Sequence, residues 1–198
     1  MAKNPIKELL KKIFYKCAIE SLHSANRQMG RLGTIEKISS IVPNIGDQYS
    51  TWKFETSNTY DVIKIRSIHA FQVELALDAL KTIRSQSAKN ALSVVDIGDS
   101  SGTHTRYLKE LCSELDMGQV EFLSVNLDSD AVERIVAKGG RAIQARAEDL
   151  HQAAGYQKHP DLYLSFQTLE HLFDPISCLR DLAVETSTEY FVITVPFL

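Results

Sequence analysis

Short apolar runs alternate with helix-like patterns in the second half of this sequence, and this alternation limits the folds that the chain can adopt. The five apolar runs cover residues 91–97, 120–125, 141–145, 162–166 and 190–195. Helical periodicity separates most of them, over residues 103–115, 129–138 and 175–184. Buried strands that alternate with helices build βαβ units, whose right-handed crossovers give a mostly parallel sheet with helices on both faces. We therefore expect an α/β, doubly wound domain over residues 91–198.

The first 90 residues predict a helical segment or cap, with long helices at residues 5–29 and 60–85 and a short helix at about 35–41. The first helix sets four lysines, Lys7, Lys11, Lys12 and Lys16, around an apolar face made of Ile6, Leu9, Leu10, Ile13, Phe14, Cys17, Ala18 and Leu22. A basic amphipathic helix can lie on an anionic membrane, but more often its apolar face packs on its own domain. We expect the packed arrangement, with membrane contact as the alternative.

Composition restricts the compartment and the partners. The formal net charge of -3 gives no overall positive field to attract nucleic acid. Cys17, Cys112 and Cys178 are few and widely spaced, which suits a reducing compartment, and no Cys or His cluster indicates a metal site. No apolar run approaches the roughly 20 residues of a membrane span, and the lysine-rich start does not resemble a secretory signal. We expect a cytoplasmic protein without a metal.

The most informative loop follows the first predicted strand. Its sequence is Asp96-Ile-Gly-Asp-Ser-Ser-Gly102, and a helix begins directly after it. Parallel sheets bind ligands beyond the carboxyl ends of their strands, and glycines there let the backbone approach a ligand closely. The spacing G-x-x-x-G matches neither the dinucleotide fingerprint G-x-G-x-x-G nor a P-loop ending in G-K-S/T. From the residues alone, a ligand loop and a purely structural turn are equally good interpretations.

Two segments resemble the class I S-adenosylmethionine (SAM)-dependent methyltransferases. V-V-D-I-G-D-S-S-G-T-H-T-R-Y-L is similar to their first motif, V-L-D-x-G-x-G-x-G-x-x-T-x-x-L, with Asp96, Gly98, Gly102 and Leu108 in register and Ser100 in place of the middle glycine. The stretch from Asp161 to Pro175 resembles the pattern D-x-x-x-x-x-x-x-L-E-H-x-x-D-P of the small-molecule branch, which includes the ubiquinone and menaquinone methyltransferases. The resemblance covers about the C-terminal half and implies a Rossmann-like sheet of order 3-2-1-4-5.

The resemblance also implies which residues would bind SAM and its product S-adenosylhomocysteine (SAH). They are Asp96, Gly98, Asp99, Ser100 and Gly102 after the first strand, Asn126, Leu127 and Asp128 after the second, Glu148 and Asp149 after the third, and Ser165, Phe166 and Gln167 after the fourth. Asn126 would accept bonds from the ribose hydroxyls and Asp149 from the adenine amino group. From the residues alone, Asp128 and the acidic pair at 148–149 can equally be helix caps.

The methyl acceptor is the least constrained part. The resemblance implies methyl transfer to a small or medium-sized acceptor, such as a glycan, a lipid precursor or a quinone-like hydroxyl. His171 is the first candidate base for a hydroxyl acceptor, and His104 and His69 are weaker candidates. Alternatively, Glu170 and His171 only tie down their loop. The motif for methylating amino groups of DNA, Asn/Asp-Pro-Pro-Tyr/Phe, is absent, so we expect no nucleic-acid partner.

Two functions other than methyl transfer are also compatible with the sequence. A non-catalytic binding or regulatory protein on the same fold is favoured by Ser100 and Asn126, and a nucleotide-dependent oxidoreductase is the weaker rival.

In the family, a helix and an antiparallel hairpin usually follow the fifth strand, whereas this sequence ends at Leu198. We therefore expect the sheet to lack that hairpin and the domain to be incomplete at its C-terminal side.

Overall fold

The computed structural model of the chain describes residues 5–45, 59–156 and 159–196. Contacts group these residues into two compact units, 5–45 with 59–71 and 72–156 with 159–196. The division falls inside the helix Thr59–Gln86, whereas the sequence led us to expect the second domain to start at residue 91. None of the helices in this described part is long and apolar enough to cross a membrane.

The second unit contains a five-stranded, wholly parallel sheet. The strands are β1 (Ala91–Ile97), β2 (Gln119–Asn126), β3 (Ala142–Gln144), β4 (Leu162–Phe166) and β5 (Phe191–Thr194), in the order β3-β2-β1-β4-β5. Three α-helices of the described residues precede this sheet along the chain, so the helices between its strands are numbered from four. They are α4 (Thr103–Glu114), α5 (Ser129–Ala137) and α6 (Pro175–Thr186). This confirms the Rossmann-like, doubly wound sheet and its predicted strand order. No antiparallel hairpin occurs among the described residues.

Alternation along the central strands explains how helices cover both faces. Val95 of β1 and Leu123 of β2 belong to the core cluster that also contains Leu182 of α6. The neighbouring positions point to the other face, where Ser124 of β2 meets Thr105 of α4. Because successive side chains of a strand point to opposite faces, Asp96 lies on the α4 face of the sheet.

The first unit consists of α1 (Pro5–Gln28), α2 (Leu32–Ile41) and the start of α3 (Thr59–Gln86). The buried guanidinium of Arg66 donates to the carbonyl oxygens of Ile38 and Pro43 at 3.2 Å each, and to that of Val42. These carbonyl groups lie in and just beyond the last turn of α2, where a cation opposes the negative end of the helix dipole. Arg66 thus fastens the end of α2 to α3.

The packing expected for α1 is wrong for its first half. The side chains of Ile6, Leu9, Leu10, Ile13 and Phe14 are 51–68% exposed. The helix instead packs through Tyr15, whose ring lies 5.5 Å from that of Tyr60, and through Asn26, whose Nδ2 donates to Ser67 Oγ at 2.7 Å. Apolar periodicity identified a stripe but could not tell which side of the helix finds a partner.

Asp161 closes the sheet at the amino ends of β1 and β4. Its carboxylate accepts hydrogen bonds from the backbone NH of Ser93 at 2.8 Å and from Lys89 Nζ at 2.5 Å. Burial raises the pKa of this carboxyl group, but the bonds from Lys89 and Ser93 outweigh burial and leave the pKa below its usual value. Such a group stabilises the fold above its unfolded pKa of about 3.9, and the contribution is lost as the pH falls through the folded pKa.

We expect Asp161→Ala to lower the free energy of unfolding by about 2 kcal/mol at neutral pH, because bonds to a charged, nearly buried acceptor are lost. The loss should shrink as the pH falls through the folded pKa of Asp161. The matched control is Asp78→Ala, which removes an exposed Lys81–Asp78 pair and should cost less than about 1 kcal/mol. Urea denaturation of both variants between acidic and neutral pH measures this, and equal losses in the two variants would contradict the assignment.

Candidate functional site

The loop after β1 is held tightly against the loop after β4. Gly98 has a φ of +89°, and its NH donates to the carbonyl of Val125 at 2.8 Å. A Cβ atom at Gly98 would lie 2.1 Å from Thr168 Oγ1, so both the backbone conformation and the available space require glycine here. The two loops therefore form one continuous wall at the carboxyl edge of the sheet.

Gly102, at the end of the same loop, lies against helix α5. It begins α4 with a φ of +75°, and a Cβ there would approach Ile135 Cγ1 of α5 at 3.2 Å. A side chain at Gly102 would thus strain the backbone and press on the packing of α5. Ser100, in contrast, has no positive φ, so a serine fits there without backbone strain.

The carboxylate of Asp99 braces the loop. It is buried and accepts from Thr105 Oγ1 at 2.7 Å, from Ser124 Oγ at 2.9 Å and from the backbone NH of His104 at 3.3 Å. These bonds join the loop to the first turn of α4 and to β2, where a negative charge also suits the positive end of the helix dipole. Asp99 is therefore occupied within the protein rather than directed at a ligand.

Asp96, unlike Asp99, has a buried carboxylate oxygen that lacks a hydrogen bond in the described structure. This atom is Oδ2, and the side chain as a whole is 1% exposed. Burial, with the nearby charge of Asp99, raises the pKa of Asp96 well above its usual value. A buried carboxylate without a partner is costly and takes up a proton or a cation.

His104 stands beside these two carboxyl groups and links three elements. Its Nε2 bonds to Gln72 Oε1 of α3 at 2.9 Å, and Gln72 Nε2 donates to Thr194 Oγ1 of β5 at 2.9 Å. The His104 ring also lies 4.7 Å from the ring of Phe166. Because the Gln72 oxygen can only accept, His104 Nε2 carries the proton and Nδ1 is an acceptor. Burial lowers the pKa of His104, partly opposed by Asp99, which favours the neutral ring.

Asp96, Asp99 and His104 place possible ligand atoms within 4.8 Å of one another. This grouping was not predicted from the sequence, from which we expected a protein without a metal. The contact between His104 and Gln72 was not predicted, although His104 was one of the weaker candidate bases. The two residues lie 32 positions apart, and the one available signal was a polar Gln72 within the apolar face of α3, between Ile68 and Ala76.

The residues expected to hold ribose lie at the end of β2. Asn126 Oδ1 accepts from the backbone NH of Asp128 at 2.9 Å, and Asp128 Oδ1 accepts from the NH of Asp130 at 2.9 Å. Asp128 is therefore the N-cap of α5, which is the capping alternative that the sequence left open. Leu127 between them is 64% exposed. Asn126 and Leu127 thus face the carboxyl edge, although the Asn126 oxygen already has one donor.

The acidic residues expected at the adenine do not act as caps. Asp149 precedes a short 3₁₀ turn, Leu150–Gln152, without a side-chain bond to its backbone. Arg146 lies 3.5 Å from Glu148 Oε1 and 3.6 Å from Asp149 Oδ2. Asp149 is exposed and Glu148 half-buried, so both remain accessible beyond the end of β3.

The end of β4 contains both buried and open candidates. Ser165 is buried, and its Oγ has no hydrogen-bond partner in the described part of the chain. Phe166 is buried, and Gln167 is exposed with a φ of +55°. Glu170 and His171 follow in an exposed 3₁₀ turn, Leu169–His171, and their side chains make no hydrogen bond within the described ranges. The tie that would have made this pair structural is thus not seen.

Asp174 and Pro175 behave as the sequence predicts. Asp174 caps α6 by accepting from the NH of Ser177 at 2.9 Å, and Pro175 occupies the first helical position. The helix that follows the open turn at His171 therefore has a fixed starting point.

A separate cavity of about 690 Å³ lies alongside this loop, between α4, β2 and α5. Its lining includes half-buried Phe122, Ser101 and the cations Arg106, Lys109, Lys138 and Arg141. Glu110 and Glu121 offset part of this charge. The surface of the chain is thus locally basic here, although its net charge is negative.

No protein-family model and no curated protein matches this sequence. Among solved structures, a protein assigned as a protein-L-isoaspartate O-methyltransferase of Plasmodium falciparum, crystallised with SAH, is similar over 89% of this chain and 84% of its own, with 12% identity and a TM-score of 0.51. The plantazolicin methyltransferase BpumL with SAH gives a TM-score of 0.44 and 16% identity, over 87% of this chain. A SAM-dependent methyltransferase assigned in Methanococcus maripaludis gives a TM-score of 0.41 and 12% identity, over 65% of this chain.

This chain spans 61% of the length of BpumL and 63% of that of the Methanococcus protein. At these identities the similarity concerns the fold alone. The chain thus has a Rossmann-like fold that it shares with the Plasmodium methyltransferase.

We expect Asp96→Asn to stabilise the ligand-free protein by about 1 kcal/mol or more at neutral pH, since it removes a carboxyl group that the buried site disfavours in its charged form. Because the folded pKa of Asp96 is raised, its stabilising contribution is present below the unfolded pKa and is lost as the pH rises. The advantage of the variant should therefore vanish near pH 4 and grow towards neutral pH.

The matched variant is Asp99→Asn, three positions along the same loop. It removes the charge and replaces one of the two oxygens that together accept three hydrogen bonds by an NH2 group, and it should destabilise the protein by about 2 kcal/mol. Thermal melting of both variants over a pH series measures the contrast. Destabilisation by Asp96→Asn would show that this carboxylate has an internal partner.

Proposed function

We propose that this chain binds SAM across the carboxyl ends of β1, β2 and β4 and transfers its methyl group to a small or medium-sized acceptor. One observation carries the proposal. Asp96 Oδ2 at the end of β1 and Ser165 Oγ near the end of β4 are buried polar atoms without a hydrogen-bond partner among the described residues. Folded proteins satisfy nearly all buried polar groups, so atoms of this kind gathered at one edge favour a polar ligand there.

The charges of the site suit the methionine part of SAM. That part carries an ammonium group and a sulfonium centre, and Asp96 is a buried carboxylate that lacks a cation. The methionine carboxylate suits the free amides at the start of α4, where the helix dipole is positive. The crystallised complex of the Plasmodium neighbour with SAH supports the same cofactor.

The remaining candidates extend from this centre along the edge of the sheet. Ser165, Phe166 and Gln167 would line the methionine part of SAM. The side-chain amide of Asn126, whose oxygen already accepts one hydrogen bond, would bond the ribose hydroxyls. Glu148 and Asp149 would meet the adenine. Parallel strands bring all of these positions to one edge, because every strand ends there.

SAM supplies a methyl group that is already activated by its sulfonium. The protein therefore mainly has to hold the acceptor atom in line and exclude water, which is a proximity effect. For a hydroxyl acceptor, His171 is our proposed base, because it is exposed on the turn after β4 and has no hydrogen bond that would restrain it. His104 is the second choice, since its Nδ1 is an acceptor but its ring is held by Gln72 and Phe166.

A non-catalytic SAM-binding protein is the second candidate function. The observation that favours it is the Asn126 oxygen, which is already engaged by the NH of Asp128. Binding of SAH without transfer of a labelled methyl group to phenols, quinols or sugars would support this alternative.

We expect SAH to bind with release of a proton, because its ammonium group favours the charged form of Asp96, whose pKa is raised in the free protein. Calorimetry in buffers of different ionisation enthalpy measures the proton count. Asp96→Asn should weaken SAH binding by about tenfold or more and abolish the proton release, the scale of one lost charge-assisted bond.

The control ligand for this binding experiment is NADH. A melting temperature raised by SAH but not by NADH supports the SAM site, and the reverse result would establish the oxidoreductase alternative. Absence of any SAH binding would end the proposal.

We expect His171→Ala to lower the methyl-transfer rate by about 10²-fold, the usual scale for losing a general base. SAH affinity and melting temperature should stay unchanged, because the side chain makes no hydrogen bond in the described structure. The assay is transfer of a labelled methyl group from SAM to a panel of small hydroxyl compounds.

The matched variant is His104→Ala, which should reduce stability because it leaves Gln72 Oε1 buried without its partner. A native rate in His171→Ala would remove this residue from the reaction.

A further inference from the structure

One side of helix α1 packs on α3, and the other side is exposed. The inner side packs on α3 through half-buried Tyr15, whose ring lies against that of Tyr60, and through buried Asn26, which donates to Ser67 Oγ. The outer side carries a row of apolar side chains that we call the outer stripe, made of Ile6, Leu9, Leu10, Ile13, Phe14 and Cys17. The five largest of these are 51–68% exposed, and Cys17 is exposed as well. Soluble proteins rarely leave so many adjacent apolar side chains in water without a use for them.

Four lysines border the outer stripe on both sides. With roughly 100° between successive residues of a helix, the stripe covers about 140° of the circumference. On the same projection, Lys7 and Lys11 follow one edge of the stripe, and Lys12 and Lys16 follow the other. The single acidic residue between positions 5 and 16 is Glu8, which projects on the opposite side.

We propose that the outer stripe docks on an anionic lipid surface, with α1 lying in the plane of the membrane interface. Apolar side chains would enter the boundary between headgroups and acyl chains, while the bordering lysines reach back to lipid phosphates or carboxylates.

Charge decides between lipid and a second copy of this chain. Two outer stripes packed together would also bring their lysine rows together, with few acidic groups to compensate. An anionic surface complements both rows at once. The inference rests only on α1 and does not depend on the proposed methyl transfer.

Cys17 allows the contact to be observed directly. It is exposed within the outer stripe, whereas Cys112 and Cys178 are buried. An environment-sensitive fluorophore attached to Cys17 of the full chain should therefore report on this helix. We expect a blue-shifted, stronger emission with vesicles of phosphatidylcholine and phosphatidylserine, and no change with phosphatidylcholine alone.

Flotation of the unlabelled protein with the same vesicles provides the quantitative test. Ile13→Asp should lower the vesicle-bound fraction by about tenfold, because it places a charge in the apolar contact. The matched control is Val184→Asp on α6, where the original side chain is 74% exposed but lies outside the stripe. A double variant, Lys12→Glu with Lys16→Glu, should reduce binding similarly, whereas Lys81→Glu should not.

The outcomes are distinct. Binding to anionic vesicles that responds to the stripe variants and not to the controls supports the proposal. Binding that is equal for neutral and anionic vesicles, or equal in Ile13→Asp and the native chain, overturns it. A monomer–dimer equilibrium in sedimentation that Ile13→Asp abolishes, without vesicle binding, overturns it in favour of a second copy.

Discussion

The carboxylate of Asp99 is the interaction on which the candidate site depends. Its bonds to Thr105, Ser124 and the NH of His104 fix the loop after β1 to both α4 and β2. Gly98 then contacts the loop after β4 without room for a side chain. The carboxyl edge is thus preorganised by groups that are satisfied within the protein, which leaves their neighbours available for a ligand.

Two carboxylates in one short loop have opposite surroundings. Asp99 is surrounded by donors, whereas the Oδ2 of Asp96 has none, and the charge of the first makes ionisation of the second harder. A fold optimised only for stability would not keep Asp96. Asp96 destabilises the ligand-free protein, whereas Asp99 beside it is fully hydrogen-bonded. This combination is expected where a bound ligand supplies the missing partner of the first carboxylate.

The sequence predicted the sheet well because burial dominates it. Short, largely apolar runs that end at a glycine, such as residues 91–97, favour buried strands, and the strand order was implied by the resemblance of the loops between them. Local caps such as Asp174 were also predictable, because they depend on neighbours along the chain. The partners of His104 and Asp99 were not, since Gln72 and Ser124 are distant in sequence and each could have faced elsewhere. The outer stripe of α1 was recognised as apolar, but its exposure depends on which side meets α3.

The contact between Gly98 and Thr168 imposes unequal constraints on descendants of this chain. Position 168 tolerates smaller residues, because losing its methyl opens space and losing its hydroxyl costs one 3.3 Å hydrogen bond to the carbonyl of Phe166. Position 98 has no such freedom: even beside a smaller neighbour, its left-handed backbone disfavours any residue with a Cβ. Over evolutionary time we expect position 168 to drift while position 98 stays fixed, so that a comparison of related chains would show an invariant residue facing a variable one.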